Sequence, residues 1–174
     1  MPDKNKLDQL YMDIAGRIAQ MSAARRLKVG AVLVKDDNII SMGWNGTPAG
    51  QDNCCEHEER CPPDSNLDDA ATRAEYPYRV NTESGFTLAR LTTKDTVLHA
   101  ESNALMKLVA TGGAASAGAT MYVTCSPCAA CAKLIKQAKI DRVVYRTQYR
   151  LTDGIELLRQ MGITVEQIQG DSHD

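Results

Sequence analysis

Long apolar stretches are missing from this chain. No run approaches the roughly 20 consecutive apolar residues that a helix needs to cross a bilayer. The opening residues, MPDKNKLDQL, are charged and lack the apolar centre of a secretory leader. Aromatic residues are scarce: one tryptophan, one phenylalanine and six tyrosines. Charge of either sign is nearly cancelled, with 20 Lys and Arg against 22 Asp and Glu, a formal net charge of −2. Without a clustered basic face, extended binding of nucleic acid has no electrostatic footprint. A few local cations still suffice for a small anion. These absences predict a cytoplasmic protein (in the host cytoplasm, for a viral chain) with neither membrane nor nucleic acid as partner. In a reducing compartment its six cysteines are expected as thiols or metal ligands rather than disulfides.

The rest of the composition is ordinary for a globular chain, 43% hydrophobic and 24% charged, and 174 residues predict one domain over 1–174. Leu7, Leu10, Tyr11, Ile14, Ile18 and Met21 recur at steps of three and four, an amphipathic helix. Two β-rich runs follow, Val29 to Lys35 and Ile39 to Trp44, joined by a tight Asp-Asp-Asn that suits a hairpin. From about 46 to 95 no period is sustained, so an irregular insert is expected there, with a short helix around 67–75. A stretch of that length without structure is unusual unless it is functional. Helix returns from His99 to Ala110 and stops at Gly112 and Gly113. A strand at 119–125, a helix opened by Pro127 and a strand at 141–146 follow. A helix near 154–161 and a strand at 162–168 finish the chain. Alternating strands and helices after a hairpin predict a three-layer α/β/α sandwich with a mixed central sheet. The stretch GGAASAG at 112–118 is expected as a flexible connection.

Three cysteines spaced three apart, CSPCAAC at 125–131, raise the chemical question. An iron–sulfur run requires a further cysteine shortly after the third. Ile135 stands four beyond Cys131 and no cysteine follows, so that reading fails. A redox dithiol at Cys128 and Cys131 fits better, because a helix N-terminus lowers a thiol pKa. The same field favours a metal-bound thiolate, and His99 and Glu101 tip the balance. Two residues apart, they share no face within a helix. At a helix start the first is half out of the spiral, so both can enter one cavity. If the strands before His99 and Pro127 lie in one sheet, the two helix starts converge. His99, Cys128 and Cys131 then supply three ligands of a tetrahedral zinc, with the fourth position left for water. Glu101 beside that water has the chemistry of a general acid and base. Cys125 ends the preceding strand and is expected as a packed free thiol.

The H-x-E and P-C-x-x-C elements resemble those of zinc nucleobase deaminases. Residues 28–50 (KVGAVLVKDDNIISMGWNGTPAG), 99–105 (HAESNAL) and 121–145 resemble, more narrowly, the deoxycytidylate (dCMP) deaminase family of the cytidine deaminase-like superfamily. That resemblance implies a cytidine deaminase-like fold and hydrolysis of dCMP to dUMP and ammonia, feeding thymidylate synthesis. Zinc would lower the pKa of its water, and Glu101 would pass the water proton to N3, assist attack at C4 and then protonate the departing ammonia. Asn45 resembles the substrate-contacting asparagine of the superfamily. Arg25, Arg26 and Lys28 stand near the expected rim, with Arg26 and Lys28 taken as phosphate ligands and Ser22 as a weaker candidate. Tyr122 and Tyr145 either flank the pocket or pack in the core.

The resemblance further implies a homohexamer activated by dCTP and inhibited by dTTP, with Mg2+ accompanying the triphosphate and Gly46 and Gly50 in the effector loop. Some relatives carry a second, structural zinc, for which Cys54, Cys55, His57 and Cys61 are the candidates here. Their C-C-x-H-x3-C spacing is not a standard one, and the plain alternative is a set of reduced loop thiols. Two other readings stay open: a deaminase of another base, such as cytidine or adenosine in tRNA, and a zinc-stabilised module without activity.

Overall fold

The computed structural model describes residues 3–112 and 115–169. Helix α1 (Lys4–Ala19) is capped by the Asp3 side chain, which accepts the Asn5 N–H. It leads into the hairpin of β1 (Gly30–Lys35) and β2 (Asn38–Trp44). Asp36 and Asp37 both hold positive φ, the backbone that a two-residue hairpin turn demands. Helix α3 (Ala100–Ala110) packs on β2. Gly43 permits the approach, since a Cβ there would meet the Ala104 backbone nitrogen at 2.4 Å.

The segment expected to be irregular is ordered. It carries strand β3 (Glu56–Arg60), helix α2 (Ala70–Glu75), strand β4 (Tyr78–Thr82) and strand β5 (Gly85–Thr93). The strands form an antiparallel sheet of their own in the order β3-β5-β4. Their alternation is masked because β3 buries only Glu56 and leaves four charged or polar neighbours in solvent. The short helix around 67–75 is present as α2.

Helix α3 (Ala100–Ala110), strand β6 (Thr120–Cys125), helix α4 (Ala129–Gln137), strand β7 (Arg142–Thr147), helix α5 (Asp153–Gln160) and strand β8 (Thr164–Gln167) complete the chain. The main sheet runs β2-β1-β6-β7-β8, antiparallel through β1 and β6 and parallel across β6-β7-β8, so it is mixed. Alternate residues of β1 serve two cores. Ala31 and Leu33 face α3, α4 and α5, while Val32 and Val34 meet Tyr11, Met12 and Ala15 of α1. The result is the three-layer α/β/α sandwich. Tyr122 and Tyr145 are buried in these two cores, and neither lines the cavity beside His99 and Glu101. The connection at 112–118 falls partly on residues outside those described.

At the far end of the sheet from the cysteines, Arg142 binds both carboxylate oxygens of Asp8, at 2.8 and 2.6 Å, and also pairs with Glu166. Tyr122 donates to the same Asp8 at 2.7 Å. This buried network ties α1 to β6, β7 and β8. No helix among the described residues is long and apolar enough to cross a membrane.

Candidate active site

His99 and Cys128 are the N-cap residues of α3 and α4, both in extended backbone with φ/ψ of −75/155° and −78/168°. Each side chain is therefore outside the helical spiral and free to turn toward the other. His99 Nδ1 lies 3.6 Å from Cys128 Sγ and 3.5 Å from Cys131 Sγ. Tetrahedral zinc with typical Zn–N and Zn–S bonds separates its N and S ligands by about 3.6 Å. The three residues match that spacing, and all three ligand atoms lie within 4.8 Å of one another. They fit a zinc ion. Gly154 keeps the corner tight, because a Cβ on it would meet the Pro127 carbonyl at 2.0 Å.

Protonation in this corner is strongly skewed. The Cys128 thiol is held at about 3, first by its hydrogen bond with Cys131 and then by His99. Cys131 is pushed up, because its proton is shared with Cys128 and it is buried. His99 is raised by its bond to Cys128. A zinc ion bound there would reverse the Cys131 shift and hold both thiols as thiolates. Glu101, in the first turn of α3 and 4% exposed, is raised by burial, against its own backbone N–H and the His99 charge. A carboxyl kept out of bulk water beside a metal site is equipped to receive and return protons.

These groups line a cavity of about 200 Å³. His99, Glu101 and Cys128 line one side, with Asn45 and Arg26 also reaching the wall. Asn45 has a structural task there. Its Oδ1 accepts the Val29 N–H at 2.8 Å and its Nδ2 donates to the Leu27 carbonyl at 2.9 Å, which leaves one amide N–H for a ligand. Arg26 donates to Thr93 Oγ1 at 3.0 Å. Lys28 lines a larger groove of about 860 Å³ that shares Arg26, Leu27, Cys125 and Tyr149 with the cavity.

Other expected residues are placed elsewhere. Arg25 pairs with Glu58 at 2.8 Å. Ser22 is buried, donates to the Asn45 carbonyl at 2.7 Å and accepts the Ala24 N–H, so it braces the loop and does not line the cavity. Gly46 bridges to Leu98 through two backbone hydrogen bonds, whereas Gly50, at φ 86°, lines a separate hollow with Asp52 and Lys94. Among the described residues, Cys54, Cys55, His57 and Cys61 do not gather as metal ligands. Cys61 contacts Thr87, Cys55 packs on Ala24 and Val97, and Cys54 is exposed. Cys125 is a buried free thiol pushed up to about 11, first by burial and then by the Glu101 charge, and it lines the cavity.

Sequence reasoning missed Glu56, Tyr78 and Thr93 from the insert and Tyr149 from the segment after β7, all of which form cavity walls. Tyr149 is set by its N–H to Ser126 Oγ at 2.7 Å, while the Ser126 N–H bonds the Thr147 carbonyl. No local pattern in the sequence pairs Ser126 of the S-P-C triplet with that segment.

Known proteins resemble the chain over this same architecture. The family described as the cytidine and deoxycytidylate deaminase zinc-binding region matches residues 5–147. The deoxycytidylate deaminase of Enterobacteria phage T4 is 37% identical over 167 residues, covering 88% of this chain and 86% of its own. Its namesake from Mycobacterium phage D29 is 38% identical over 143 residues, covering 79% and 92%. The crystal structure of dCMP deaminase from cyanophage S-TIM5 in complex with dCMP and dUMP superposes with a TM-score of 0.72. It is 36% identical and covers 95% of this chain and 99% of that one. A solved tRNA:A34 deaminase, 23% identical with a TM-score of 0.51, shares the fold alone. Likeness of that extent, running through both helix starts that carry the zinc ligands, makes this chain a member of the deoxycytidylate deaminase family of zinc-dependent deaminases.

Proposed function

We propose that this protein hydrolyses dCMP to dUMP and ammonia, supplying dUMP for thymidylate synthesis. The observation that carries the reading is buried Glu101 in a small cavity beside three ligands with zinc spacing, where a closed structural site would have a fourth. Zinc bound by His99, Cys128 and Cys131 would supply a water of lowered pKa. Glu101 would take one proton of that water and place it on N3 of the cytosine ring as the oxygen adds to C4, then pass the proton of the resulting C4 hydroxyl to the amine, which leaves as ammonia while the C4 carbonyl forms. Asn45 offers its remaining amide N–H to the nucleotide. Arg26, steadied by Thr93, and Lys28, in the adjoining groove, hold the 5′-phosphate, for which the Arg fork suits a bidentate grip.

Regulation belongs to the same reading: dCTP activates and dTTP inhibits, with Mg2+ on the triphosphate. Gly50 at the hollow near Lys94 supports an effector loop there. Assembly as a homohexamer is consistent with the exposed apolar Met106 and Val109 on α3. Zinc-loaded protein is to be assayed for ammonia release from dCMP, cytidine, dCTP and a tRNA anticodon hairpin, each with and without dCTP and dTTP. Preference for dCMP is the expected result. Turnover of another base with no preference for dCMP overturns the assignment, and stoichiometric zinc without any turnover marks a non-catalytic module.

A further inference from the structure

Two carboxylates line the catalytic cavity, and the proposed reaction uses only Glu101. The other is Glu56, the first residue of β3, which lies opposite Thr93 in the insert sheet and is only 6% exposed. Its Oε1 is fully occupied. It accepts the backbone N–H of Arg25 at 2.9 Å and of Arg26 at 3.2 Å. Those two bonds anchor one oxygen of the carboxylate, while Oε2 has no partner among the described residues.

Oε2 is also not sealed in the core. The one buried side-chain polar atom without a partner among the described residues is Arg146 Nε. Oε2 thus keeps accessible surface on a residue that is otherwise buried, and the open space Glu56 borders is the cavity. An acceptor-only oxygen facing a pocket for an anionic nucleotide repels its ligand unless the ligand brings a donor. A 2′-deoxycytidine 5′-monophosphate carries two donor groups. One is the exocyclic amine, which must sit at Glu101 and the zinc ligands to be removed. The other is the 3′-hydroxyl.

We propose that Glu56 Oε2 accepts a hydrogen bond from the 3′-hydroxyl of the substrate sugar and so acts as a specificity-determining residue. This rests on the nucleotide reading of the site given above. Glu56 then selects nucleotides with a free 3′ end. A 3′-phosphate, or the 3′-phosphodiester of a DNA strand, places an anion against a carboxylate and is refused. The insert sheet thereby does two things with one side chain: one oxygen holds the Arg25–Arg26 turn and the other reads the sugar.

The test compares kcat/KM for dCMP, its 3′-deoxy analogue (2′,3′-dideoxycytidine 5′-monophosphate) and 2′-deoxycytidine 3′,5′-bisphosphate, with wild type and Glu56→Ala. A hydrogen bond to a charged acceptor predicts a wild-type preference for dCMP over the dideoxy compound of about 10- to 100-fold. In Glu56→Ala that preference falls to within about threefold of unity. The bisphosphate, refused by wild type, gains in the variant while dCMP loses. Opposite movements of two substrates cannot come from a damaged fold or a displaced Arg26 turn, which lower all three together. Equal use of dCMP and the dideoxy compound by wild type overturns the inference without any variant. So does a variant that loses both substrates in proportion. Wild-type protein with stoichiometric zinc and no turnover of dCMP overturns the reading of the function itself, a result distinct from equal use of the two.

Discussion

The zinc corner and the insert sheet contribute walls to one cavity, yet they are written into the chain in opposite ways. The corner is two short motifs whose residue types have few other uses together, a histidine and glutamate at one helix start and two cysteines at another. The insert contributes Glu56, Tyr78 and Thr93, residues with no shared chemistry and no fixed spacing. A metal site demands particular donor atoms in a narrow geometry. A wall demands only shape and an acceptor or hydroxyl in the right place. Catalysis is thus recorded in residue identity, and substrate fit in the pairing of strands.

Substitutions can break that comparison, beginning with the corner. Cys128→Ala is expected to lose zinc by elemental analysis, whereas Cys61→Ala in the insert keeps it. Glu101→Gln should retain full zinc and lower kcat by about 10²- to 10⁴-fold, the usual range for a general acid and base. Zinc loss in Cys61→Ala would make the insert a second metal region and erase the contrast.

A control far from both regions carries the next largest effect, and it falls on stability. Replacing Arg142 by Met leaves Asp8 buried without its cation, a change that costs about 3–5 kcal/mol. Thermal denaturation should shift strongly while KM for dCMP stays unchanged. The Asp8 carboxyl is opposed by burial but brought below its usual 3.8 by hydrogen bonds from Arg142 and Tyr122. Its stabilisation is therefore fully present above pH 3.8 and is lost as pH falls through the lower, folded value. Wild type should lose its advantage over Asp8→Asn in acid denaturation only below that point.

Smaller effects test the joint between the two regions. Arg26→Ala is expected to raise KM for dCMP about tenfold or more with little change in kcat, and Thr93→Val, which frees the guanidinium, about fivefold. A KM unchanged from wild type in Thr93→Val would detach the insert from phosphate binding. The smallest effect belongs to Cys125→Ala, which should keep zinc and most of its activity, since Cys125 borders the cavity without contributing a ligand.

Much of the scaffold was legible from local pattern. The period of α1, the β1–β2 hairpin with its Asp36–Asp37 turn and the strand–helix alternation after His99 appear where they were expected. Helix-start placement of His99 was also readable, because the residue before a helix is extended and its side chain escapes the spiral. The insert was not. In β3 a single buried residue is followed by exposed His57, Glu58, Glu59 and Arg60, and β4 is only half buried, so neither strand presents a clear apolar face. Ser22, a weaker candidate for the phosphate site, spends its hydroxyl on the Asn45 carbonyl and the Ala24 N–H.

By itself the sequence determined the chemistry: which atoms are soft ligands, which group can move a proton, and which segments begin helices. Those properties belong to single residues and to spacings of a few residues, so they survive without coordinates. The tertiary structure alone decided which side chains share the cavity. Glu56 reaches Arg25 and Arg26 only because β3 pairs with β5, and Tyr149 reaches the wall only because Ser126 holds its backbone. Contacts between residues 23 or 31 positions apart follow from strand pairing and loop closure across the whole fold, which no local pattern encodes.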